Sequence, residues 1–147
     1  MKNMKNMKNT KGFTLIELMI VIAILAILST AGISAFDSQK RKGYRTDAIR
    51  SVSVMAQKME NWRASNGTYT TNINDIKVSS VGPTVSMEEK YVLSLVSDVA
   101  NETYTITATA TGGQAQDEDC FQFILQHTGR KTAVKADTTA NTKCWPK

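Results

Sequence analysis

One carboxylate interrupts a long apolar stretch near the start of this 147-residue chain. From Phe13 to Phe36 the sequence is apolar apart from Glu17 and a few hydroxyl side chains. A helix of this length extends about 36 Å, enough to cross a hydrocarbon core of about 30 Å. Because an unpartnered charge there is costly, Glu17 is the first candidate for a function. The alternative is that its side chain reaches the lipid headgroups from the end of the segment.

The two cysteines are the next candidates for chemistry. Cys120 and Cys144 are an even pair without metal-like partners, which in an exported protein predicts a disulfide. The bridge would contribute about 3.5 kcal/mol in the chain-entropy model. Two reduced buried thiols are an alternative. A zinc site is disfavoured, because the single His127 and the long spacing supply no compact ligand set.

No pattern in the sequence indicates catalysis. There is no G-x-S-x-G motif, phosphate-binding glycine loop or metal-spaced histidine pair. We interpret the acidic run Asp117–Asp119 as a solvated loop rather than a paired acid and base, and His127 as a surface residue. The sequence therefore predicts a protein that is not an enzyme and needs no cofactor or metal.

The basic character of the chain is concentrated at its start. The formal charge is +5, but four lysines lie within Met1–Gly12, and the remainder carries 14 basic and 13 acidic residues. If this segment is removed, the global charge argument for a nucleic-acid partner largely disappears. The repeat "MKNMKNMKN" also leaves the start codon open among Met1, Met4 and Met7.

The residues that follow must position these groups, and their spacing predicts one long helix. Apolar residues recur every three or four positions after the basic run, which is the stripe of an amphipathic helix. They are Ile49, Val52, Met55, Ala56, Met59 and Trp62. We expect a helix from about Phe13 to about Ala64, ended near Gly67.

Beyond an irregular loop, the pattern changes to a period of two residues. Residues 91–99 and 103–111 predict one β-hairpin, and residues 120–136 predict another around a turn at Thr128 and Gly129. A four-stranded antiparallel sheet packed on the amphipathic half of the helix would bury both apolar faces. The predicted fold class is therefore α+β.

A run of basic residues begins just after the apolar stretch. It comprises Lys40, Arg41, Lys42, Arg45 and Arg50, offset only by Asp37 and Asp47. Three interpretations stay open: a solvated helix face, contact with anionic headgroups, and packing against acidic surfaces of adjacent subunits. The spacing does not indicate recognition of nucleic-acid bases.

The stretch "KGFTLIELMIVIAILAIL" resembles the N-terminal signature of type IV pilins and related pseudopilins. The resemblance implies that a prepilin peptidase cuts between Gly12 and Phe13 and methylates the new amine of Phe13. It also implies that Glu17, the fifth mature residue, pairs with the terminal amine of a neighbouring subunit. Such pairing would offset the cost of burying the carboxylate and would set the register of the helix.

The resemblance also divides the chain. Residues 1–12 would be a cleaved leader, residues 13–36 the transmembrane and filament-core half of the helix, and residues 37–147 the amphipathic half-helix with the globular head of a pilin fold. Many type IV pilins carry a helix-kinking proline where this chain has Ser34, with Gly32 nearby. Filament models that require melting at that proline are in doubt for this chain.

Segments of the predicted head resemble one subgroup of type IV pilins. "ENWRASNGTYT", "YTITATA", "DEDCFQFILQHTGRKTA" and the final "CW" resemble a minor-pilin subgroup, often called PilE-like, whose carboxy-terminal cysteine closes the last loop. The implied partners are other pilin subunits, the peptidase, the inner-membrane assembly machinery and the membrane itself. The implied location is the inner membrane for the precursor and the extracellular pilus afterwards.

Three functions remain open at this point. The first is a structural subunit of a type IV pilus for adhesion, twitching motility or DNA uptake. The second is a type II secretion pseudopilin, disfavoured because a calcium-ligand loop is not evident. The third is a minor pilin that binds DNA through what we call the carboxy-terminal basic patch, made of Arg130, Lys131, Lys135 and Lys143.

Overall fold

The structure, a computed structural model, describes residues 12–146, with the backbone alone at positions 30–35. The chain divides into two compact units at Asp37 and Ser38. We call residues 12–37 the N-terminal unit and residues 38–146 the head unit. The helix and strands are α1 (Leu15–Asn66), β1 (Tyr91–Asp98), β2 (Thr103–Ala110), β3 (Gln122–Gln126) and β4 (Lys131–Val134). Short 3-10 helices lie at Ile73–Ile76, Gly112–Gln116, Glu118–Cys120 and Thr142–Cys144.

Helix α1 ends where the sequence predicts a stop, within two residues. Gly67 adopts φ +81°, and its amide donates to the carbonyl oxygen of Arg63 at 2.8 Å. This left-handed backbone favours glycine because a side chain would be strained there. The following chain leaves the helix direction and begins the loop that leads to β1.

The N-terminal unit exposes its apolar side chains. Phe13 is 89% exposed and Leu15 76%, and all described side chains of positions 12–29 are exposed. In the part of the chain that the structure describes, no helix is both long and apolar enough to cross a membrane. Residues 1–11 of the predicted leader lie outside the described residues, and only the backbone is described at Gly32 and Ser34.

The head unit contains the predicted antiparallel sheet. Its strands follow the chain order β1-β2-β3-β4, so each neighbouring pair is joined by a hairpin or a short connection. Strand β1 pairs with β2 from Tyr91 opposite Ala110 to Asp98 opposite Thr103. The second hairpin turns through residues 127–130, with Gly129 at φ +77°. Both predicted hairpins and the α+β class are confirmed.

The core lies between one face of the sheet and the amphipathic half of α1. Val52, Met55 and Met59 are fully buried on the helix, as are Ile106 and Phe123 on the sheet. Ile49, Ala56 and Trp62 complete the predicted stripe but are only partly buried. Burying aromatic and branched side chains from two elements stabilises their packing by about 1.5–3 kcal/mol per residue. The head unit therefore has a core of its own.

The carboxylate of Glu60, near the end of the helix, accepts hydrogen bonds from two tyrosine residues. The hydroxyl groups of Tyr69 and Tyr104 each donate to Oε1 of Glu60 at 3.0 Å. Their rings also meet edge to face, with centroids 4.9 Å apart. Burial raises the pKa of Tyr104, so its hydroxyl keeps the proton that it donates. These contacts hold the loop after α1 and strand β2 against the helix.

Candidate functional site

The predicted cleavage site lies just before the first helical residue. Gly12 and Phe13 precede α1 and are exposed. Thr14 and Glu17 cap the helix reciprocally: the amide of Glu17 donates to Oγ1 of Thr14 at 3.3 Å, and the amide of Thr14 donates to Oε2 of Glu17 at 3.0 Å. The Thr14 hydroxyl also donates to Oε2 of Glu17 at 2.9 Å. This capping box leaves the Gly12–Phe13 bond outside the helix.

The capping box was not predicted, although its signal is present in the sequence. The pattern is Ser or Thr followed three residues later by Glu or Gln, and "TLIE" has this form. Within this chain Glu17 is thus partnered by Thr14. Its predicted pairing with the Phe13 amine of a second subunit stays a prediction.

The predicted disulfide is present in the head unit. Cys120 and Cys144 are bonded, with Cα atoms 5.7 Å apart. The bridge fastens the carboxy-terminal tail to the residues before β3, and Nε1 of Trp145 donates to the carbonyl oxygen of Thr132 at 2.8 Å. Since both thiols are oxidised, they cannot ligate zinc. Among the described residues, no group of three His, Cys, Asp or Glu side chains could hold a metal ion.

The structure separates the carboxy-terminal basic patch into two parts. Arg130 and Lys131 lie where the second hairpin turn enters β4, and Lys135 follows the other end of that strand. Four residue steps in a strand amount to about 13 Å, so these ends are well apart. Lys143 lies in the last 3-10 helix. The four residues of the patch therefore do not form one cluster.

The members of the patch also differ in their contacts. Nζ of Lys135 lies 3.6 Å from Oδ1 of Asp119, which offsets part of its charge. Nζ of Lys131 lies 5.5 Å from the ring centroid of Trp145, a cation–π contact. Arg130, Lys131 and Lys143 are exposed and form no ion pair within the described residues. These three are the free cations of the patch.

One prediction about the acidic run is wrong. Asp117 is not a solvated loop residue: it is only 5% exposed and binds Arg45 through two hydrogen bonds of 2.7 Å, from Nε and Nη2. The paired carboxylate raises the pKa of the Arg45 guanidinium. Glu118 and Asp119 are exposed, as predicted. Arg45 therefore contributes an internal ion pair, and none of the three interpretations of the basic run describes it.

Asp47, one of the two acidic residues within the basic run, is also buried. Asp47 is 5% exposed, and its Oδ1 accepts from the amide of Glu88 at 3.1 Å. The hydroxyl groups of Ser51 and Ser86 donate to the same carboxylate. Asp47 therefore binds the loop before β1 to the helix, and it does not offset the exposed cations beside it in sequence.

Lys40, another cation of the basic run, lies over the aromatic ring of Tyr44. Nζ of Lys40 lies 5.9 Å from the ring centroid of Tyr44, and Nζ of Lys90 lies 5.1 Å from the same centroid. We call these three residues the tyrosine–lysine cluster. Sequence reasoning could have paired Lys40 with Tyr44, which are one helical turn apart, but nothing local indicated Lys90.

Comparisons with known proteins place these features in a family. A family described as "Type IV minor pilin ComP, DNA uptake sequence receptor" matches residues 34–124. A family described as "Prokaryotic N-terminal methylation motif" matches residues 7–33. The search of curated proteins found no match.

A solved structure supports the same fold. A type IV pilin from Shewanella oneidensis is similar with a TM-score of 0.50 and 23% identity, over 73% of this chain and 99% of that chain. At this identity the likeness shows the fold alone. The pilin fold predicted from the sequence is thus confirmed.

The first family match covers more than half of the chain, from the end of the apolar stretch into β3. The methylation motif covers the region around Gly12, Phe13 and Glu17. Both the family and the fold are structural rather than catalytic, and the family favours a pilus subunit over a secretion pseudopilin. The chain belongs to the family of type IV minor pilins that includes the DNA uptake receptor ComP.

Proposed function

We propose that this chain is a minor subunit of a type IV pilus that binds DNA during uptake. The observation that carries the proposal is the match of residues 34–124 to a family described as a DNA uptake sequence receptor. The head unit offers exposed cations to a polyanion, and the buried carboxylate of Asp117 in its acidic run is already paired with Arg45. On this proposal the role of the chain is assembly and binding, without catalysis.

The carboxy-terminal basic patch is the DNA contact that the sequence predicts. Its free cations, Arg130, Lys131 and Lys143, are exposed side chains with long reach. Cations that meet phosphates release counterions from the duplex, and this release supplies sequence-independent affinity. Because Lys135 is partly offset by Asp119, we expect it to contribute least.

Salt-dependent binding tests this proposal. The full chain is kept in uncharged detergent and titrated against a fluorescein-labelled duplex at several salt concentrations. A variant with Gln at the four patch positions should show a shallower slope of log K against log salt, by about 0.9 for each phosphate that it no longer neutralises. The control carries Arg50→Gln and Lys77→Gln, which removes two exposed cations elsewhere in the head unit, so the slopes are compared per charge removed. No binding of the parent at low salt would contradict the proposed function.

The N-terminal residues are proposed to act in processing and assembly. A prepilin peptidase would cut between Gly12 and Phe13 and methylate Phe13, and the inner-membrane machinery would then add the subunit to the filament. Support comes from the methylation-motif match and from the scissile bond lying outside α1. The precursor would be held in the inner membrane, and the mature chain would reach the cell surface within a pilus.

Mass spectrometry of sheared filaments tests processing and assembly together. We expect a mature chain that begins at methylated Phe13. Its abundance relative to the main subunit should be low, as for a minor pilin. An N-terminus upstream of Phe13, or absence of the chain from filaments, would contradict this part of the proposal.

A further inference from the structure

The tyrosine–lysine cluster concentrates positive charge on the head unit. Lys40 comes from α1, and Lys90 comes from the loop just before β1, yet both ammonium groups lie over the ring of Tyr44. Neither ammonium group forms an ion pair within the described residues. Two like charges held on one ring, with no described carboxylate paired to either, favour the binding of an anion.

The backbone that carries Lys90 is fixed on both sides. Its amide donates to Oγ of Ser86 at 3.1 Å, and its carbonyl oxygen accepts from the amide of Thr111 at 3.1 Å. The Ser86 hydroxyl in turn donates to the buried carboxylate of Asp47 on α1. Hydrogen bonds through Ser86 and Asp47 therefore connect the loop backbone at Lys90 to α1, the helix that carries Lys40 and Tyr44. A site mounted in this way loses little conformational freedom when it binds a ligand.

The neighbouring acidic residues form no ion pair with the cluster. Glu88 and Glu89 are exposed in the turn before Lys90, and neither forms an ion pair within the described residues. Asp47 is engaged by hydroxyl and amide donors inside the protein.

The position of the cluster in the chain favours DNA as the anion. Lys40, Tyr44 and Lys90 all lie within residues 34–124, the segment matched by the DNA-receptor family. The four residues of the carboxy-terminal basic patch lie outside that segment. Cations inside the matched segment are therefore candidates for phosphate contacts in addition to that patch.

We infer that Lys40 and Lys90, held over the ring of Tyr44, form a DNA-phosphate contact separate from the carboxy-terminal basic patch. This inference rests on the proposed function, since it requires that the chain binds DNA. The two lysines contact backbone phosphates and carry no sequence information themselves. Tyr44 acts as a positioning residue, because its ring holds both lysine ammonium groups through cation–π contacts.

The test compares two variants at several salt concentrations, using the full chain in uncharged detergent and a labelled duplex. Lys40→Gln with Lys90→Gln should weaken binding at least about tenfold near 0.1 M salt and lower the salt slope by nearly two. Tyr44→Leu should weaken binding while leaving the slope unchanged, because both charges remain but are no longer held. The control is the Arg50→Gln, Lys77→Gln variant, which loses the same charge from other surfaces. Arg50 lies on a different face of α1 from Tyr44.

The possible outcomes separate the inference from the proposed function. If the parent binds and the lysine variant behaves as the control does, this inference is overturned and the proposed function stands. If the parent does not bind DNA, both are overturned. The last arm measures binding to vesicles of anionic phospholipid. If the lysine variant loses vesicle binding but keeps DNA binding, Lys40 and Lys90 contact lipid headgroups. That result also overturns the inference. Circular dichroism checks that each variant is folded.

Discussion

The two units of this chain differ in where their apolar side chains find partners. In the N-terminal unit, all described apolar side chains between Phe13 and Leu28 are exposed. In the head unit, α1 and the sheet enclose residues such as Met55, Ile106 and Phe123 completely. Exposed apolar surface of this extent is satisfied by lipid or by other protein chains. The head unit is therefore stabilised by its own core. The apolar side chains of the N-terminal unit are left for lipid or for other protein chains to cover.

The largest expected effect on folding is at the centre of the head unit. Phe123 is fully buried and meets Tyr91 and Trp145 edge to face, at centroid distances of 5.8 and 5.6 Å. Phe123→Ala should lower the free energy of unfolding by about 3–5 kcal/mol through reduced burial and a cavity. Chemical denaturation followed by near-ultraviolet circular dichroism measures this change. The matched change in the N-terminal unit, Leu18→Ala, should have an effect below about 0.5 kcal/mol.

Removing the disulfide should have the next largest effect. Cys120→Ser with Cys144→Ser frees the tail that carries Trp145, and the chain-entropy model gives a decrease of about 3.5 kcal/mol in the free energy of unfolding. Chemical denaturation again measures it, and reduction of the parent protein provides the control. An unchanged unfolding midpoint would show that the tail is held by its other contacts alone.

The two ion pairs of arginine in the head unit should differ in strength. Arg45→Met leaves the nearly buried carboxylate of Asp117 unpaired, which should cost about 2 kcal/mol. Arg63 and Glu102 also form an ion pair, but both side chains are well exposed, so Arg63→Met should cost below about 1 kcal/mol. Equal decreases in unfolding free energy would mean that burial of Asp117 has no energetic weight.

The smallest effect on folding is expected at Glu17, where the effect on assembly should be clear. Glu17→Val removes a carboxylate in the N-terminal unit, far along the sequence from the core, so the unfolding midpoint of the head unit should not change. Incorporation into filaments should fall about tenfold if the carboxylate pairs with the Phe13 amine of another subunit. Quantitative immunoblotting of sheared filaments and membranes measures this. Thr14→Ala separates assembly from capping, because it removes the capping hydroxyl while keeping Glu17.

Local patterns account for the parts of the fold that were predictable. The stop of α1 follows from Gly67, which adopts a backbone that other residues avoid, and the hairpin turn follows in the same way from Gly129. The sheet follows from alternating side chains, since a period of two residues places one face on a core. The disulfide was predictable because the sequence has two cysteines and an N-terminal pattern that predicts export.

The errors share a physical cause. Asp117 was predicted to be solvated because its neighbours in sequence are acidic, but the 3-10 helices before and after it turn its carboxylate toward Arg45 on α1. Asp47 was predicted to offset nearby cations, but two of its three donors, Ser86 and Glu88, lie in the loop before β1. In both cases the partner is distant in sequence, and charge patterning reports only near neighbours.

The sequence by itself indicated the type of protein: an apolar helix with one carboxylate, an amphipathic continuation and a sheet region with a pair of cysteines. These follow from composition and periodicity, which act over a few residues. Only the tertiary structure decided which charges remain available for a partner. Folding brought Arg45 to Asp117 and Lys90 to Tyr44, because the energy of a charge depends on what surrounds it in space rather than along the chain.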